Sequence, residues 1–212
     1  DRSRALSDYL ISIHARKFDS PSLYTRRIRD LLGHGECIMG LIDNYPDRFE
    51  FIDRDVLQKI ESACVQWRWR IKHRVHRLCQ VHGDFHPWNI LFRDGTDFTL
   101  LDRSRGAWGE PADDITCLTI NYLFSSLLRY KKLDGPFERL FKSFWDRYLA
   151  QTRDAEICEV AIPFFAWRGL VIGSPVWYPR LPDGVRSIIF RFIVNVLASA
   201  RFDHTEVNRY LI

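Results

Sequence analysis

The sequence lacks paired cysteines and long hydrophobic runs. Its five cysteines are widely separated, with no C-x-x-C pair among Cys37, Cys64, Cys79, Cys117 and Cys158. This spacing does not favour a zinc or redox centre, and we interpret the five as reduced core residues of a cytosolic protein. No apolar run approaches the roughly eighteen residues that a membrane-spanning helix needs, and no signal-like segment precedes the first helical pattern. The sequence therefore predicts a soluble, cytoplasmic protein that does not bind a membrane.

The chain also has only a small excess of charge of one sign. The chain has 31 Lys and Arg against 27 Asp and Glu, a net charge of +4. Because this excess is small and dispersed, it does not indicate a nucleic-acid partner. Repeats and low-complexity segments are missing as well, and 46% of the residues are hydrophobic. A chain of this length and composition can bury one sizeable core, so residues 1–212 are predicted to form a single domain.

Apolar residues recur at helical spacing along most of the chain. Helices are predicted at residues 5–14, 21–33, 36–44, 53–78, 111–128, 135–151, 154–172 (with a kink at Pro163) and 183–201, and residues 173–179 are predicted to be irregular. The apolar stripe of 135–151 is predicted to face the core. The basic residues near the end of 53–78, from Arg68 to Arg77, are interpreted as a solvated face and not as an anion-binding patch.

Most of the recognisable chemistry lies in residues 79–115. Asn89 follows Asp84 by five residues, and Asp102 follows Asn89 by thirteen. The apolar runs 90–92 and 98–101, separated by Asp94-Gly95, predict a β-hairpin. The hairpin would return the chain to its start and bring Asp102 beside Asn89, so that both side-chain oxygens could reach one hard cation. A phosphoryl-transfer site needs such a pair together with a carboxylate that orients the attacking hydroxyl, here Asp84.

These residues resemble a known family. HGDFHPWN (82–89), LLD (100–102) and GEPADD (109–114) are similar to the aminoglycoside phosphotransferase family, relatives of the protein kinases in which HGD stands where kinases have H-R-D. The resemblance implies a mainly α protein (α+β), a kinase-like carboxy-terminal lobe with a small β-hairpin at the catalytic loop. It also implies transfer of the ATP γ-phosphate to a hydroxyl of a small molecule: an aminoglycoside, an amino alcohol, a sugar or a hydroxy amino acid.

The resemblance assigns roles to individual residues. Asp84 is the expected catalytic base, and Asn89 and Asp102 are expected to bind Mg²⁺ and, through it, the nucleotide. His82 and Asp114 are expected to support the loop, whereas Asp113 is a candidate substrate contact. Further along the chain, Trp167, Trp177 and Tyr178 are candidates for an aromatic wall that would suit an organic cation, with core packing as the alternative. The late segments are no richer in acids than in bases, so the sequence does not favour a polycationic aminoglycoside.

The sequence departs from the family pattern at two places. Arg103-Ser104-Arg105 follows Asp102 where relatives commonly carry an aromatic residue and then an acidic residue or glycine. Moreover, no glycine-rich loop and no strand lysine of the kinase type precede Asp84, and the chain begins with Asp1 and not with Met. We therefore expect a fragment that lacks the amino-terminal nucleotide-binding lobe and has no useful activity alone.

Two other interpretations stay open at this point. The chain could be a non-catalytic lobe, a pseudoenzyme that binds a small molecule or a partner without turnover. Alternatively, strand alternation would place His82, Asp84 and His86 on one face as ligands of a transition metal, as in a metallohydrolase. The second alternative leaves Asn89 and Asp102 without a role.

Overall fold

The computed structural model describes residues 1–46 and 52–212, which are mostly helical. Their helices are α1 (Arg2–His14), α2 (Pro21–Gly33), α3 (Ile38–Asp43), α4 (Arg54–Ile71), α5 (Pro111–Tyr130), α6 (Gly135–Thr152), α7 (Ile157–Gly173) and α8 (Asp183–Ala198). Their strands are β1 (Cys79–Gln80), β2 (Ile90–Phe92), β3 (Phe98–Leu100) and β4 (Trp108–Gly109). The mainly α composition with one small hairpin was predicted from the sequence, and the structure confirms it.

Helix ends follow local capping chemistry. Asp134 accepts a hydrogen bond from the Gly135 amide and begins α6, and Asp53 accepts one from the Val56 amide and begins α4. Side-chain oxygens at such positions satisfy amides that have no partner inside the helix. Pro111 occupies the first turn of α5, where the missing N–H costs nothing. Seven of the eight predicted helices have observed limits within three residues of the predicted ones.

The predicted helix 53–78 is too long. The structure ends α4 at Ile71, and a 3₁₀ turn follows at Val75–Arg77. Beyond it, the carbonyl oxygen of Leu78 accepts a hydrogen bond from the Phe18 amide, and β1 pairs with β4. These long-range backbone bonds override the helical spacing of the apolar residues, because propensity is a weak prior against tertiary contacts.

The basic run at this helix end is not uniformly solvated. Arg77 is 3% exposed and forms an ion pair with Glu110 at 2.7 Å and one with Asp154 at 2.7 Å. The interpretation as a solvated face is therefore wrong for Arg77, because the turn that replaces the last helical residues directs this side chain inward. Arg68 and Arg70, in contrast, lie over the rings of Trp69 and Trp67.

Two small antiparallel sheets flank the loop between β1 and β2. The predicted hairpin is confirmed, with Ile90 opposite Leu100 and Phe92 opposite Phe98. The β1–β4 pair, in which Cys79 lies opposite Gly109, was not predicted, since two-residue strands are too short to show alternation. The two sheets fix both ends of the segment that carries Asp84 and Asn89.

The core surrounds α7, which is buried on nearly all sides and contacts α5 and α8 most extensively. Pro163 lies inside this helix; the kink expected there stays a prediction. The stripe of α6 is confirmed as core at Phe141, Phe144, Trp145 and Tyr148. All five cysteines are free and buried, as predicted. None of the helices in the described ranges is long and apolar enough to cross a membrane.

Candidate active site

The loop between β1 and β2 brings Asp84 and Asn89 together. Gly83 adopts a φ of +86°, and a side chain there would also meet the Cβ of Arg105 at 3.2 Å, so this turn requires glycine. The Asp84 carbonyl oxygen accepts hydrogen bonds from the His86 amide at 2.9 Å and from the Asn89 Nδ2 at 3.1 Å. Pro87 then begins the 3₁₀ turn Pro87–Asn89, which places Asn89 at the start of β2.

The hairpin returns the chain to Asn89. The Leu101 amide donates to the Asn89 carbonyl oxygen at 2.9 Å, and Asp102 follows with a φ of +52°. Hydrogen bonds from Ser104 lower the pKa of Asp102, so its exposed carboxylate is anionic at neutral pH. The Asn89 amide donates through Nδ2 and therefore keeps its oxygen available as a ligand. An amide oxygen and a carboxylate are the kinds of donor that Mg²⁺ prefers, so the donor chemistry of these two side chains suits that ion.

Asp84 lies in a strongly basic environment. Its Oδ1 accepts a hydrogen bond from Arg168 Nη1 at 3.2 Å, and its Oδ2 lies 3.5 Å from His86 Nε2. Burial acts to raise the pKa of Asp84, but the His86 hydrogen bond and the charges of Arg168 and Arg105 outweigh it and lower the pKa below its ordinary value. Asp84 is therefore a carboxylate at neutral pH, able to accept a hydrogen bond from a hydroxyl group.

Arg168 is the main functional residue that sequence reasoning missed. It comes from α7, its side chain is 7% exposed, and it bridges Asp84 and Asp113, with Nη2 2.5 Å from the Asp113 Oδ1. Its guanidinium group also lies 3.8 Å from the ring centre of Trp167. A signal was present: Arg168 stands in the apolar run 160–172, and a buried charge needs a partner of opposite sign.

A buried hydrogen-bond network holds the loop from below. Asp114, fully buried in the first turn of α5, accepts hydrogen bonds from the amides of His82 at 2.7 Å and Gly83 at 2.8 Å. It also contacts His14 Nε2 at 3.2 Å, and His14 Nδ1 lies 2.9 Å from the Tyr148 hydroxyl. The structure thus places Asp114 under the loop, where it fixes two consecutive amides.

His82 belongs to the same buried layer. Its Nδ1 accepts a hydrogen bond from the Asp84 amide at 3.3 Å, and its ring packs edge-on against Phe85. Burial lowers the pKa of His82, so the ring is neutral at neutral pH. Its contacts are with the loop itself, which is a supporting position and not one that faces a ligand.

A second cluster orients α5. Glu110 precedes the helix and accepts from the Ala112 amide. Its carboxylate also pairs with Arg77 and accepts from the Tyr24 hydroxyl at 2.9 Å. Sequence reasoning assigned Glu110 no role. The cluster connects three elements: α2, the 3₁₀ turn that follows α4, and the start of α5. It therefore fixes the position of α5, the helix that carries Asp113 and Asp114.

Two pockets meet at the loop between β1 and β2. The Asp113 pocket, about 470 Å³, lies on the Gly83 side and includes Asp113, Trp167, Arg27 and His34. Burial raises the pKa of Asp113 to about 6 against the opposing charge of Arg168. The Asp84 pocket, about 230 Å³, includes Asp84, Trp177 and Tyr178. Glu36 and Arg105 line both pockets and form an ion pair at 3.2 Å.

The candidate substrate residues are therefore divided between the pockets. Trp167 is almost fully buried, donates from Nε1 to the Glu36 carbonyl oxygen at 3.0 Å and lines the Asp113 pocket. Trp177 and Tyr178 line the Asp84 pocket, where Trp177 is 62% exposed and Tyr178 packs edge-on against Phe124. The three rings do not line one pocket, since Trp167 lines the Asp113 pocket and Trp177 and Tyr178 line the Asp84 pocket.

The metallohydrolase interpretation is wrong in its geometry. It requires a strand through His82, Asp84 and His86, but β1 ends at Gln80 and the following residues form a loop. Within residues 1–46 and 52–212, no three His, Cys, Asp or Glu side chains are grouped so that they could hold a metal ion.

Comparison with known protein families gives a match. The sequence model of the phosphotransferase enzyme family matches residues 39–155, more than half of the 212 residues. This range includes the loop with Asp84 and Asn89, the hairpin with Asp102, and the first turn of α5. No curated protein and no solved structure matches the chain.

Proposed function

Because the chain belongs to the phosphotransferase enzyme family, we propose that it transfers the γ-phosphoryl group of ATP to a hydroxyl group of a small molecule. The observation that supports this most directly is the placement of Asp84. It is an anionic carboxylate at the wall of a pocket, and the loop that carries it also carries Asn89 and leads through the hairpin to Asp102. A base, a metal-binding pair and an acceptor pocket are the parts that such a transfer needs.

Asp84 acts as the base in this proposal. The acceptor hydroxyl donates a hydrogen bond to the Asp84 carboxylate, its oxygen forms the new bond to the γ-phosphorus, and the bond between that phosphorus and the leaving ADP oxygen breaks. The hydroxyl proton passes to Asp84. Since the transition state is loose, Asp84 mainly positions the hydroxyl and takes the proton late, and its lowered pKa is compatible with that role.

Asn89 and Asp102 would hold Mg²⁺ in this reaction, through the amide oxygen and the carboxylate. When bound, Mg²⁺ neutralises charge on the phosphate oxygens. The contribution of the chain itself is to keep the two ligands in place. Asn89 is fixed by its bond to the Asp84 carbonyl oxygen, and Asp102 by Ser104.

We further infer that residues 1–212 form one domain, the kinase-like catalytic lobe, and that nucleotide is held from the other side by a lobe outside this sequence. Helices α1 to α4 occupy most of the chain before Asp84, and the sequence before Asp84 has no glycine-rich loop. The free buried cysteines favour a reducing compartment, so we place the protein in the cytoplasm.

The test is a transfer assay on the full-length protein. A panel of hydroxylated metabolites is screened for Mg²⁺-dependent ATP consumption, and phosphorylated product is identified by ³¹P NMR. Asp84→Asn should then lower kcat at least on the order of 10², the usual range for loss of a general base, and leave nucleotide affinity nearly unchanged. Near-normal turnover by this variant would remove Asp84 from the mechanism. Asp97→Asn, an exposed aspartate on the same hairpin, is the matched control.

A non-catalytic binding lobe is the second candidate. It is favoured by one observation, the ion pair between Arg168 and Asp84, which neutralises the charge of the base. The same screen separates the two candidates. A metabolite that binds in the Asp84 pocket without phosphoryl transfer in the full-length protein would favour the non-catalytic lobe.

A further inference from the structure

The Asp84 pocket combines a reactive carboxylate with an apolar wall. Its lining includes Leu41, Ile120 and Ile172, all buried, together with Val171. Two exposed rings also line it, Trp88 at 80% and Trp177 at 62% exposure. These two rings form the solvent-exposed rim of the pocket. The pocket therefore suits a ligand with a flat apolar body.

Both carboxylates that line this pocket in the described part of the chain are paired with an arginine, and one of these arginines, Arg168, is shared with Asp113. Arg168 pairs with Asp84 at 3.2 Å, and Arg105 pairs with Glu36 at 3.2 Å. Among the described residues that line the pocket, both carboxylates thus have a guanidinium partner. An ammonium group that entered beside Ile120 and Val171 would be buried without a carboxylate of its own, which is unfavourable. The lining consequently selects against amino sugars and other polycations.

The volume indicates the size of the ligand portion that this pocket can surround. At about 230 Å³, the pocket is smaller than the roughly 300–1,000 Å³ typical of sites for drug-sized molecules. A single six-membered ring with a short substituent fits this space, whereas a ligand of three linked rings would extend beyond the rim. Size and charge therefore both act against a three-ring amino sugar, whereas charge alone acts against a small cation such as choline.

We propose that the acceptor is an uncharged single-ring alcohol or phenol, whose ring lies between Ile120 and Trp177 and whose hydroxyl group donates to the Asp84 carboxylate. This substrate class rests on the proposed function. An uncharged acceptor differs from the organic cation that the aromatic residues of the sequence suggested. Trp167 lines the other pocket, and the rings that line the Asp84 pocket lie beside carboxylates that already have arginine partners.

Binding to the 212-residue chain tests the proposal without any transfer reaction. Benzyl alcohol, choline and kanamycin are compared by saturation-transfer NMR at equal concentration. Benzyl alcohol is expected to bind with a millimolar Kd, and the other two to bind at least about tenfold more weakly. Trp177→Ala should raise the Kd of benzyl alcohol at least fivefold. The control is Trp69→Ala, which removes a 61% exposed ring on α4 that contacts Lys72 and does not line this pocket.

A second variant reverses the charge preference. Val171→Glu adds a carboxylate to the half-buried edge of the wall, so choline should bind this variant at least fivefold more tightly than the unaltered chain, and benzyl alcohol more weakly. The proposal is overturned if benzyl alcohol does not bind, if Trp177→Ala and Trp69→Ala have equal effects, or if choline or kanamycin binds the unaltered chain more tightly. Any of these results would leave an Asp84-dependent transfer in the full-length protein intact, so the acceptor class and the phosphotransferase activity are tested separately.

Discussion

At the scale of single residues, Asp102 has the simplest assigned role and allows a direct test. Asp102→Asn removes the anionic ligand but tolerates the left-handed backbone at this position, since asparagine adopts positive φ readily. In the full-length protein this change should weaken magnesium–nucleotide binding by roughly tenfold or more, equivalent to about 1.4 kcal/mol. Manganese should replace magnesium and zinc should not, because oxygen ligands select hard cations. Calorimetric titration of Asp102→Asn beside Asp97→Asn measures the effect; equal affinities would exclude Asp102 as a ligand.

Asp113 should give the stability of the protein a distinctive pH dependence. Its pKa in the folded protein is about 6, above the ordinary value of about 3.9 in an unfolded chain. Between these two values the folded state binds more protons than the unfolded state. The contribution of Asp113 to the free energy of unfolding is therefore fully present below about pH 4 and is lost as the pH rises through about 6.

Urea unfolding at a series of pH values tests this sign. Asp113→Asn should flatten the fall in unfolding free energy between about pH 4 and pH 6, because the titrating group is gone. Asp55→Asn, in the exposed first turn of α4, should keep the fall seen in the unaltered protein. A fall that persists unchanged in Asp113→Asn would show that another group causes it.

The sequence motif identified the candidate site residues that lie close together in the chain. It did not identify Arg168, which comes from a distant helix. Asp84, Asn89 and Asp102 lie within one loop and hairpin, so their proximity follows from local geometry. Arg168 reaches Asp84 from 84 residues further along the chain, and no spacing rule predicts such a contact. What the sequence did contain was an isolated arginine in an apolar helix, which signals a buried partner without identifying it.

At the scale of elements, the first turn of α5 connects stability to the site. Among the described residues, Glu110→Ala would leave the buried Arg77 with Asp154 and Glu156 as its acidic partners, and it would remove a cap of α5. Loss of one partner from a buried ion pair typically costs 3–5 kcal/mol, so unfolding in urea should show a loss of about 3 kcal/mol. Glu206→Ala, which breaks an exposed ion pair with Arg209, should cost at most about 1 kcal/mol. Similar losses in both variants would contradict the buried role of Glu110.

Element boundaries were predictable only where capping or turn residues mark them. Pro111 and the Asp94-Gly95 turn gave the start of α5 and the hairpin. The end of α4 carried no such mark, since apolar spacing continues to Leu78, and the observed end depends on strand pairing with Gly109.

At the scale of the whole molecule, the 212-residue chain should bind ATP weakly, if at all, and show no useful transfer. Kinase-like enzymes grip nucleotide between two lobes, and alignment of this kind accounts for roughly 7–11 kcal/mol of a reaction barrier. Without lysine and glycine-loop contacts, Asn89 and Asp102, the proposed Mg²⁺ ligands, would hold the phosphates from one side only. Calorimetric titration with magnesium–ATP is the measurement, and micromolar binding by these 212 residues would show that a second lobe is not needed.

The hydrogen-bond network beneath the loop between β1 and β2 limits how far this protein can be truncated. Its contacts run from His14 on α1 to Tyr148 on α6, and from Arg168 on α7 to Asp84. The family match begins at residue 39 and ends at residue 155, so a protein trimmed to those limits would retain every motif residue and lose both His14 and Arg168. Asp114 would then keep its hydrogen bonds from the loop amides but lose its contact with the His14 imidazole. Asp84 would lose its ion pair with the Arg168 guanidinium group. The smallest piece that preserves the geometry of the motif is therefore longer than the motif, and it has to include α1 and α7.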